Sequence, residues 1–349
     1  MHGPSDVAHL VDRHPSVTPE RLIAQLVPPP TFADVGFDTY RPDPAEPSQA
    51  AAVQACRQFC DQAVTRRAGK KKLFGKREVL PGVGVYLDGG FGVGKTHLLA
   101  SSYYQVGQDS NSKRAFATFG ELTQLAGVFG FVECIELLSE YVLVCIDEFE
   151  LDDPGDTVLM SRLMRELADA GVKLAATSNT LPGSLGEGRF AAQDFQREIQ
   201  VLSSQFEVVR IDGEDYRHRG LPDAPSPLPD DAALDAAVEQ HFAGRRVAID
   251  DFDALVEHLS RVHPSRYRAL IEGLDAIAWR GVRTIDQQAV ALRFVVLADR
   301  LYDRDLPILS TGVPFDRVFT EEMMAGGYQK KYYRAVSRLT ALAREADEA

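Results

Sequence analysis

The sequence has few cysteines, no long apolar run and no recognisable leader. Four cysteines in 349 residues are too few for a disulfide framework, which excludes the small disulfide-stapled secreted domains. Cys56 and Cys60 share a helix face at i, i+4 spacing without a second ligand pair nearby, so we interpret them as core residues. No apolar run approaches the roughly 18 residues that span a bilayer, and the N-terminal residues predict no signal peptide. We therefore expect a soluble, cytoplasmic protein without a transmembrane segment.

Basic residues are outnumbered by acidic ones, with 38 Lys and Arg against 51 Asp and Glu, which gives a formal net charge of −13. This balance argues against a protein built for bulk binding to nucleic acid or anionic membranes, which needs a basic face. Residues 66–77 depart from it, because they hold seven basic residues and no acidic one. Such a segment contacts nucleic acid, an acidic partner or lipid headgroups, or it forms a solvated loop. The sequence leaves these alternatives open.

A glycine-rich stretch between an apolar strand pattern and a helix pattern is the strongest motif. Residues 89–96 match G-x-x-x-x-G-K-T, the phosphate loop of nucleoside triphosphatases. Glycines let consecutive N–H groups surround an anion, and the helix that begins near Lys95 points its positive end at the same anion. Lys95 is suited to the β- and γ-phosphates, and Thr96 is suited to Mg²⁺. The predicted nucleotide-binding residues are Gly89, Gly90, Phe91, Gly92, Val93, Gly94, Lys95, Thr96 and His97.

Three polar side chains follow two later strand patterns and complete a hydrolytic site. The continuous apolar run at residues 141–146 ends in Asp147 and Glu148, and the run at residues 172–177 is followed by Asn179. The carboxyl ends of parallel strands meet at one edge of a sheet, where ligands bind. We predict that Asp147 joins Thr96 in holding Mg²⁺, that Glu148 activates the attacking water, and that Asn179 contacts that water or the γ-phosphate.

The transition state of phosphoryl transfer also requires positive charge, often an arginine from a neighbouring subunit. Arg189 and Arg197, both downstream of Asn179, are the candidates for this catalytic role. The sequence does not exclude their rivals, which are Arg210, Arg217, Arg219, Arg293 and Arg334.

Strand patterns alternate with helix patterns along the chain, which predicts an α/β fold with a parallel sheet between helices. The proline-rich stretch at residues 220–229 marks the best domain boundary. We predict a nucleotide-binding domain with an N-terminal arm at residues 1–222 and an α/β region with a terminal helix at residues 223–349. Phe32, Phe37 and Tyr40 lie in a lead-in before the phosphate loop that packs on the adenine base or simply covers the core.

These motifs together resemble the ZapE/AFG-type AAA+ ATPases, found in bacterial cell division and in mitochondria. The resemblance rests on the phosphate loop, the residues around Asp147 and Glu148, and the run that ends at Asn179. It extends through residues 215–217, 292–294, 299–303 and 337–339, and so covers the chain from about residue 80 to the C-terminus. The later segments are not general features of phosphate-loop proteins, so the match is specific.

The resemblance implies an AAA+ ATPase that uses ATP and Mg²⁺, forms ring-like homo-oligomers and acts on protein partners, in bacteria at the constricting division ring. Two segments depart from the family pattern. Residues 114–119 read Arg-Ala-Phe-Ala-Thr-Phe where the family has a histidine-rich strand. Residues 188–192 read Gly-Arg-Phe-Ala-Ala where the family has Gly-Leu-Gln-Arg, so Arg189 is displaced. The chain therefore represents a divergent branch.

The sequence is compatible with three functions. The favoured one is an ATPase that remodels or regulates protein partners. The alternative is a nucleic-acid-associated, helicase-loader-like ATPase that uses residues 66–77; the acidic total and the lack of a DNA-binding module weigh against it. A non-hydrolysing, nucleotide-gated scaffold is disfavoured because Glu148 and Asn179 are present.

Overall fold

The computed structural model describes residues 6–16, 18–67, 84–90, 92–107, 112–151, 154–185, 195–213 and 224–348. Phe91, Arg189, Arg217, Arg219 and most of the basic segment at residues 66–77 lie outside the described residues. The described chain divides into two compact units. One comprises residues 18–218, and the other combines residues 1–17 with residues 219–349.

The strands are β1 (Asp6–Ala8), β2 (Gly84–Gly89), β3 (Arg114–Thr118), β4 (Leu143–Asp147), β5 (Lys173–Ser178), β6 (Phe206–Ile211), β7 (Arg246–Asp251), β8 (Ala276–Val282) and β9 (Ile308–Gly312). The α-helices are α1 (Pro19–Ala24), α2 (Pro47–Arg67), α3 (Lys95–Val106), α4 (Phe119–Phe129), α5 (Phe131–Ser139), α6 (Pro154–Asp169), α7 (Gln196–Ser203), α8 (Asp231–His241), α9 (Phe252–Arg261), α10 (Tyr267–Leu270), α11 (Gln288–Tyr302), α12 (Glu321–Ala325) and α13 (Gln329–Glu348).

The unit of residues 18–218 is built on a five-stranded sheet in the order β3-β4-β5-β2-β6, in which every pairing is parallel. All residues of β2, β4 and β5 are buried. Their continuous apolar character reflects this position, since a central parallel strand is covered on both faces. The predicted α/β fold with a parallel sheet is confirmed.

One face of this sheet packs against α2 and α3. Val85, Leu87 and Cys145 contribute alternate strand residues to that core, as the period-two geometry of strands requires. Cys56 and Cys60 of α2 lie in the same cluster and are buried free thiols. The interpretation of these two cysteines as core residues is confirmed.

The second unit contains its own four-stranded parallel sheet in the order β1-β7-β8-β9. Trp279 of β8 is fully buried and contacts the rings of Phe252, Phe294 and Phe315. The predicted α/β character of the C-terminal region is confirmed. Its strands form a separate sheet and do not extend the five-stranded one.

Residues near the N-terminus belong to this second sheet. Strand β1 pairs in parallel with β7, and the backbone N–H of Leu10 donates to the buried carboxylate of Asp250 at 2.9 Å. The predicted boundary instead places these residues in the N-terminal arm of the nucleotide-binding domain at residues 1–222. Three paired residues are too few to give a readable strand pattern, so this pairing was not predictable from the chain itself.

A buried charge cluster joins two helices of the second unit. Asp299 of α11 accepts hydrogen bonds from Arg334, at 2.7 Å, and from Arg338, both on α13. Burial acts to raise the pKa of Asp299, but the two guanidinium groups outweigh it and hold the pKa below its ordinary value. Arg338 also lies over the Tyr302 ring, 5.1 Å from its centroid.

Across the described ranges, no single helix is long and apolar enough to cross a membrane. The helix pair α4 and α5 meets those criteria of length and composition only when joined across a 117° bend. Phe119, Leu122 and Leu138 of this pair are buried within the unit.

Replacing Asp299 with Asn is expected to destabilise the second unit by about 3 kcal/mol, because the guanidinium groups of Arg334 and Arg338, whose side chains are only 10% and 21% exposed, lose their counter-charge. Trp279, the single tryptophan of the chain, reports this unit's unfolding by fluorescence in a urea titration. The control is Asp316→Asn at an exposed site, which should change the unfolding free energy by less than about 0.5 kcal/mol. Equal midpoints for the two variants would contradict the assignment.

Candidate nucleotide-binding and hydrolytic site

The phosphate loop connects β2 to α3 and depends on two glycines with positive φ. Gly92 has φ 77° and Gly94, the residue before α3, has φ 83°. A Cβ atom on Gly94 would lie 2.4 Å from a ring carbon of Tyr40, so no larger residue fits. The helix therefore starts at Lys95 as the motif predicts, with its N-terminal N–H groups directed toward the loop.

Lys95 is held among oxygen atoms at the base of this loop. Its ammonium donates to the carbonyl oxygens of Gly89, at 2.9 Å, and Gly90, and to Oδ1 of Asn179 at 2.6 Å. Burial lowers the pKa of Lys95 to about 8, although Asp147, Asp88 and other nearby carboxylates act in the opposite direction. An anion placed beside such a lysine favours its protonated form and so raises its pKa.

Thr96 and Asp147 face each other across the loop and strand β4. The Thr96 hydroxyl lies 3.2 Å from both carboxylate oxygens of Asp147. A hydroxyl and a carboxylate are hard oxygen ligands, which Mg²⁺ prefers, and Mg²⁺ commonly uses one or two protein oxygens together with phosphates and water. Within the described ranges no cluster of three or more His, Cys, Asp or Glu forms a metal site. The residues present therefore fit Mg²⁺ bound together with a nucleotide.

Glu148 is the first residue after β4 and has an unusual backbone conformation. Its φ of 52° lies in the left-handed region, which non-glycine residues rarely adopt. Glu148 is half-buried, whereas Asp147 and Phe149 on either side of it are buried. The two adjacent carboxylates thus have different surroundings, as their different predicted roles require.

Asn179 lies just beyond β5, and its contact with Lys95 joins residues 84 positions apart. The neighbouring Thr180 is fixed twice, since its N–H donates to Ser178 Oγ at 3.1 Å and its carbonyl accepts from the Tyr86 hydroxyl at 2.7 Å. The parallel pairing of β4 with β5 and of β5 with β2 brings Asn179, Asp147 and the phosphate loop to one sheet edge.

The lead-in before α2 contacts the phosphate loop directly. The Tyr40 hydroxyl donates to the Val93 carbonyl oxygen at 2.7 Å. The His97 ring nitrogen Nε2 lies 3.1 Å from the Gly36 carbonyl oxygen and 3.0 Å from Thr39 Oγ1. The side chain of His97, predicted to bind nucleotide, is thus engaged with the lead-in.

Asp88 is a buried residue of this region that sequence reasoning missed. It precedes the phosphate loop on β2, is only 2% exposed, and pairs with Arg210 of β6. Arg210 also contacts Asp212 at 3.0 Å, and the Asp212 N–H donates to Ser48 Oγ at 2.8 Å. The sequence feature that could have revealed it is an aspartate within the apolar run that precedes the glycines. A buried aspartate requires a positively charged partner.

The candidate arginines differ in their surroundings. Arg197 is exposed on α7, whereas Arg210 pairs with Asp88 and Arg334 with Asp299. Arg293 donates to two backbone carbonyl oxygens of its own unit, each at 3.0 Å. Arg197 and Arg210 are both exposed, but Arg210 is held by ion pairs with Asp88 and Asp212.

A parallel sheet with a phosphate loop, a strand-terminal Asp-Glu pair and an asparagine after the next strand defines a P-loop nucleoside triphosphatase. The model of the AFG1-like ATPase family matches residues 16–247 and 238–347. The chain belongs to the AFG1-like ATPase family, as its resemblance to ZapE/AFG-type proteins predicted.

Two relatives show how far the similarity extends. The chain is 28% identical to the cell division protein ZapE of Escherichia coli K12, over 78% of this chain and 82% of that protein. It is 25% identical to lactation elevated protein 1 homolog B of Danio rerio, over 70% of this chain and 59% of that protein.

Solved structures with a similar fold include the DnaC helicase loader, with 16% identity, a TM-score of 0.38, and coverage of 52% of this chain and 99% of that one. Domain III of the Thermotoga maritima replication initiation protein DnaA has 16% identity and a TM-score of 0.40, over 60% of this chain and 75% of that one. TM-scores of 0.38 and 0.40 are too low to support a functional argument. The functional conclusions therefore rest on the family match and on the geometry of the site.

Nucleotide binding at pH 8.5 should be accompanied by net proton uptake, because Lys95 with a pKa of about 8 is largely neutral there and phosphate oxygens favour its ammonium form. The affinity should accordingly fall as the pH rises above 8. Calorimetry in buffers of different ionisation enthalpy measures the uptake. Lys113→Met, at an exposed lysine, is the control and should match the wild type; zero uptake by both would show that Lys95 does not gain the proton.

Proposed function

We propose that this P-loop ATPase hydrolyses Mg²⁺-bound ATP and uses the turnover to remodel or regulate protein partners. The observation that carries the proposal is the meeting of Asp147 and Glu148 with Thr96 and with the Lys95–Asn179 contact at one sheet edge. Binding alone needs the phosphate loop, but hydrolysis also needs a metal ligand, a water-orienting group and positive charge at the phosphates.

Each residue then has a separate role. Backbone N–H groups of the loop bind the phosphates, Lys95 neutralises the β- and γ-phosphate oxygens, and Thr96 with Asp147 would hold Mg²⁺. When bound there, Mg²⁺ would supply positive charge that offsets the negative charge of the phosphates. Glu148, half-buried beside Asp147, orients the attacking water and accepts its proton. Asn179, whose amide already contacts the Lys95 ammonium, holds the water or the γ-phosphate.

The class of partner is inferred from the relatives. The name of the Escherichia coli relative describes a cell division protein, and we propose that this chain likewise acts in the cytoplasm on proteins of a division ring. We further propose a homo-oligomer in which Arg197, or Arg189 from outside the described residues, reaches the nucleotide of the adjacent subunit. Stimulation of turnover by DNA would instead favour the helicase-loader-like alternative.

Glu148→Gln should leave ATP affinity within about threefold of the wild type while lowering kcat by at least about 100-fold, since the amide keeps the side chain's size but accepts no proton. Equilibrium titration with a fluorescent ATP analogue and phosphate release measure the two quantities. Glu207→Gln, an exposed position on β6, is the control and should turn over normally. Full turnover by the Glu148 variant would remove it from the water-activating role.

Arg197→Ala should lower turnover by about 10³-fold if this arginine completes a neighbour's site. Activity should return when these subunits are mixed with Lys95→Ala subunits, because one supplies the nucleotide site and the other the arginine. Mixing with a Lys95→Ala, Arg197→Ala double variant should restore nothing. An unaffected Arg197→Ala protein would leave Arg189 as the candidate.

A further inference from the structure

Thr177 is a buried residue of β5 whose side chain and backbone both reach the residues after β4. The regular ladder between β4 and β5 ends where Ile146 lies opposite Ala176. Beyond that point the Phe149 N–H donates to the Thr177 carbonyl oxygen at 2.7 Å. Thr177 therefore continues the connection between the two strands past the end of regular pairing, at the position where the catalytic carboxylates begin.

The Thr177 hydroxyl contacts both residues of the carboxylate pair. It donates to Oδ1 of Asp147 and accepts the backbone N–H of Glu148 at 3.1 Å. A hydroxyl has one hydrogen to donate, and here that hydrogen goes to a carboxylate, which makes the bond charge-assisted and strong. The Asp147 carboxylate is thus held by two hydroxyl groups, from Thr177 on β5 and from Thr96 at the start of α3.

The same hydroxyl supports the unusual backbone of Glu148. A φ of 52° persists in a non-glycine residue only where the surroundings hold it. The bond from the Glu148 N–H to Thr177 lies on one side, and on the other Phe149 is anchored among the rings of Phe119 and Tyr86, with centroids 5.1 and 6.1 Å away. Hydrogen bonds from the Glu148 and Phe149 N–H groups to Thr177 thus hold this conformation.

We propose that Thr177 is a positioning residue that sets the metal-binding carboxylate of Asp147 and the water-orienting carboxylate of Glu148 relative to each other. This role rests on the proposed hydrolytic function of the two acids. Thr177 touches neither substrate nor metal in this scheme, and acts through the residues it holds. Losing such an outer partner of a metal ligand typically costs 10- to 100-fold in metal affinity or activity.

The test compares Thr177→Val, which removes the hydroxyl but keeps the shape, with Thr177→Ser, which keeps the hydroxyl. For the valine variant we expect metal-free nucleotide affinity within about threefold of the wild type, a kcat lowered by about 10- to 100-fold, and a half-saturating Mg²⁺ concentration raised by about tenfold. The serine variant should return all three to within about threefold of the wild type. Thr340→Val, which removes a buried hydroxyl in the second unit, should behave as the wild type does.

A second readout is independent of turnover. Electron paramagnetic resonance of Mn²⁺ in the presence of ADP measures metal affinity at the same site, and this affinity should weaken about tenfold in Thr177→Val but not in Thr177→Ser. If Thr177→Val does not fold, Thr177→Ala gives the same comparison with less side-chain volume.

The outcomes separate the two proposals. A wild-type protein that binds nucleotide without hydrolysing it would end the proposed function, whereas the Mn²⁺ measurement would still decide the role of Thr177. Unchanged metal affinity and kcat in Thr177→Val would overturn the positioning role. Equal impairment of the valine and serine variants would also overturn it, because the hydroxyl would then not be the group that matters.

Discussion

The parallel pairing of β4, β5 and β2 is the constraint on which the site depends. Parallel strands end at the same sheet edge, so Asp147, Asn179 and the phosphate loop meet there although they are far apart in the chain. The contacts of Lys95 with Asn179 and of Thr96 with Asp147 follow from that arrangement. A rearranged strand order would leave every motif intact and remove the site.

Several charged side chains of the site are buried, and oppositely charged neighbours offset part of the cost of burying them. Lys95 lies near Asp147 and Asp88, yet burial still lowers its pKa to about 8, so the carboxylates only partly offset its desolvation. Asp88 in turn is paired with Arg210. Bound phosphates would supply the anionic charge that favours the Lys95 ammonium, which is why affinity and pH should be linked.

The second unit also contains a parallel sheet and a buried carboxylate that is paired with positive charge. Its separate parallel sheet contains Trp279, which packs against three phenylalanine rings, and the Asp299 cluster connects α11 to α13. Arg334, an alternative for the catalytic arginine when only the sequence is considered, serves this cluster. Because Asp299 is buried, removing its guanidinium partners would leave an uncompensated buried charge, which is strongly destabilising.

The sequence by itself determined the α/β class, the limits of the phosphate loop, the strand that ends at Asp147 and the family. These depend on glycine spacing and on apolar periodicity, which are properties of neighbouring residues in the chain. The tertiary structure alone decided that Thr177 joins Asp147 and Glu148, that Asp88 meets Arg210 across 122 positions, and that residues 6–8 pair with β7. Such contacts depend on which strands lie side by side, and a single sequence carries no local pattern for that order.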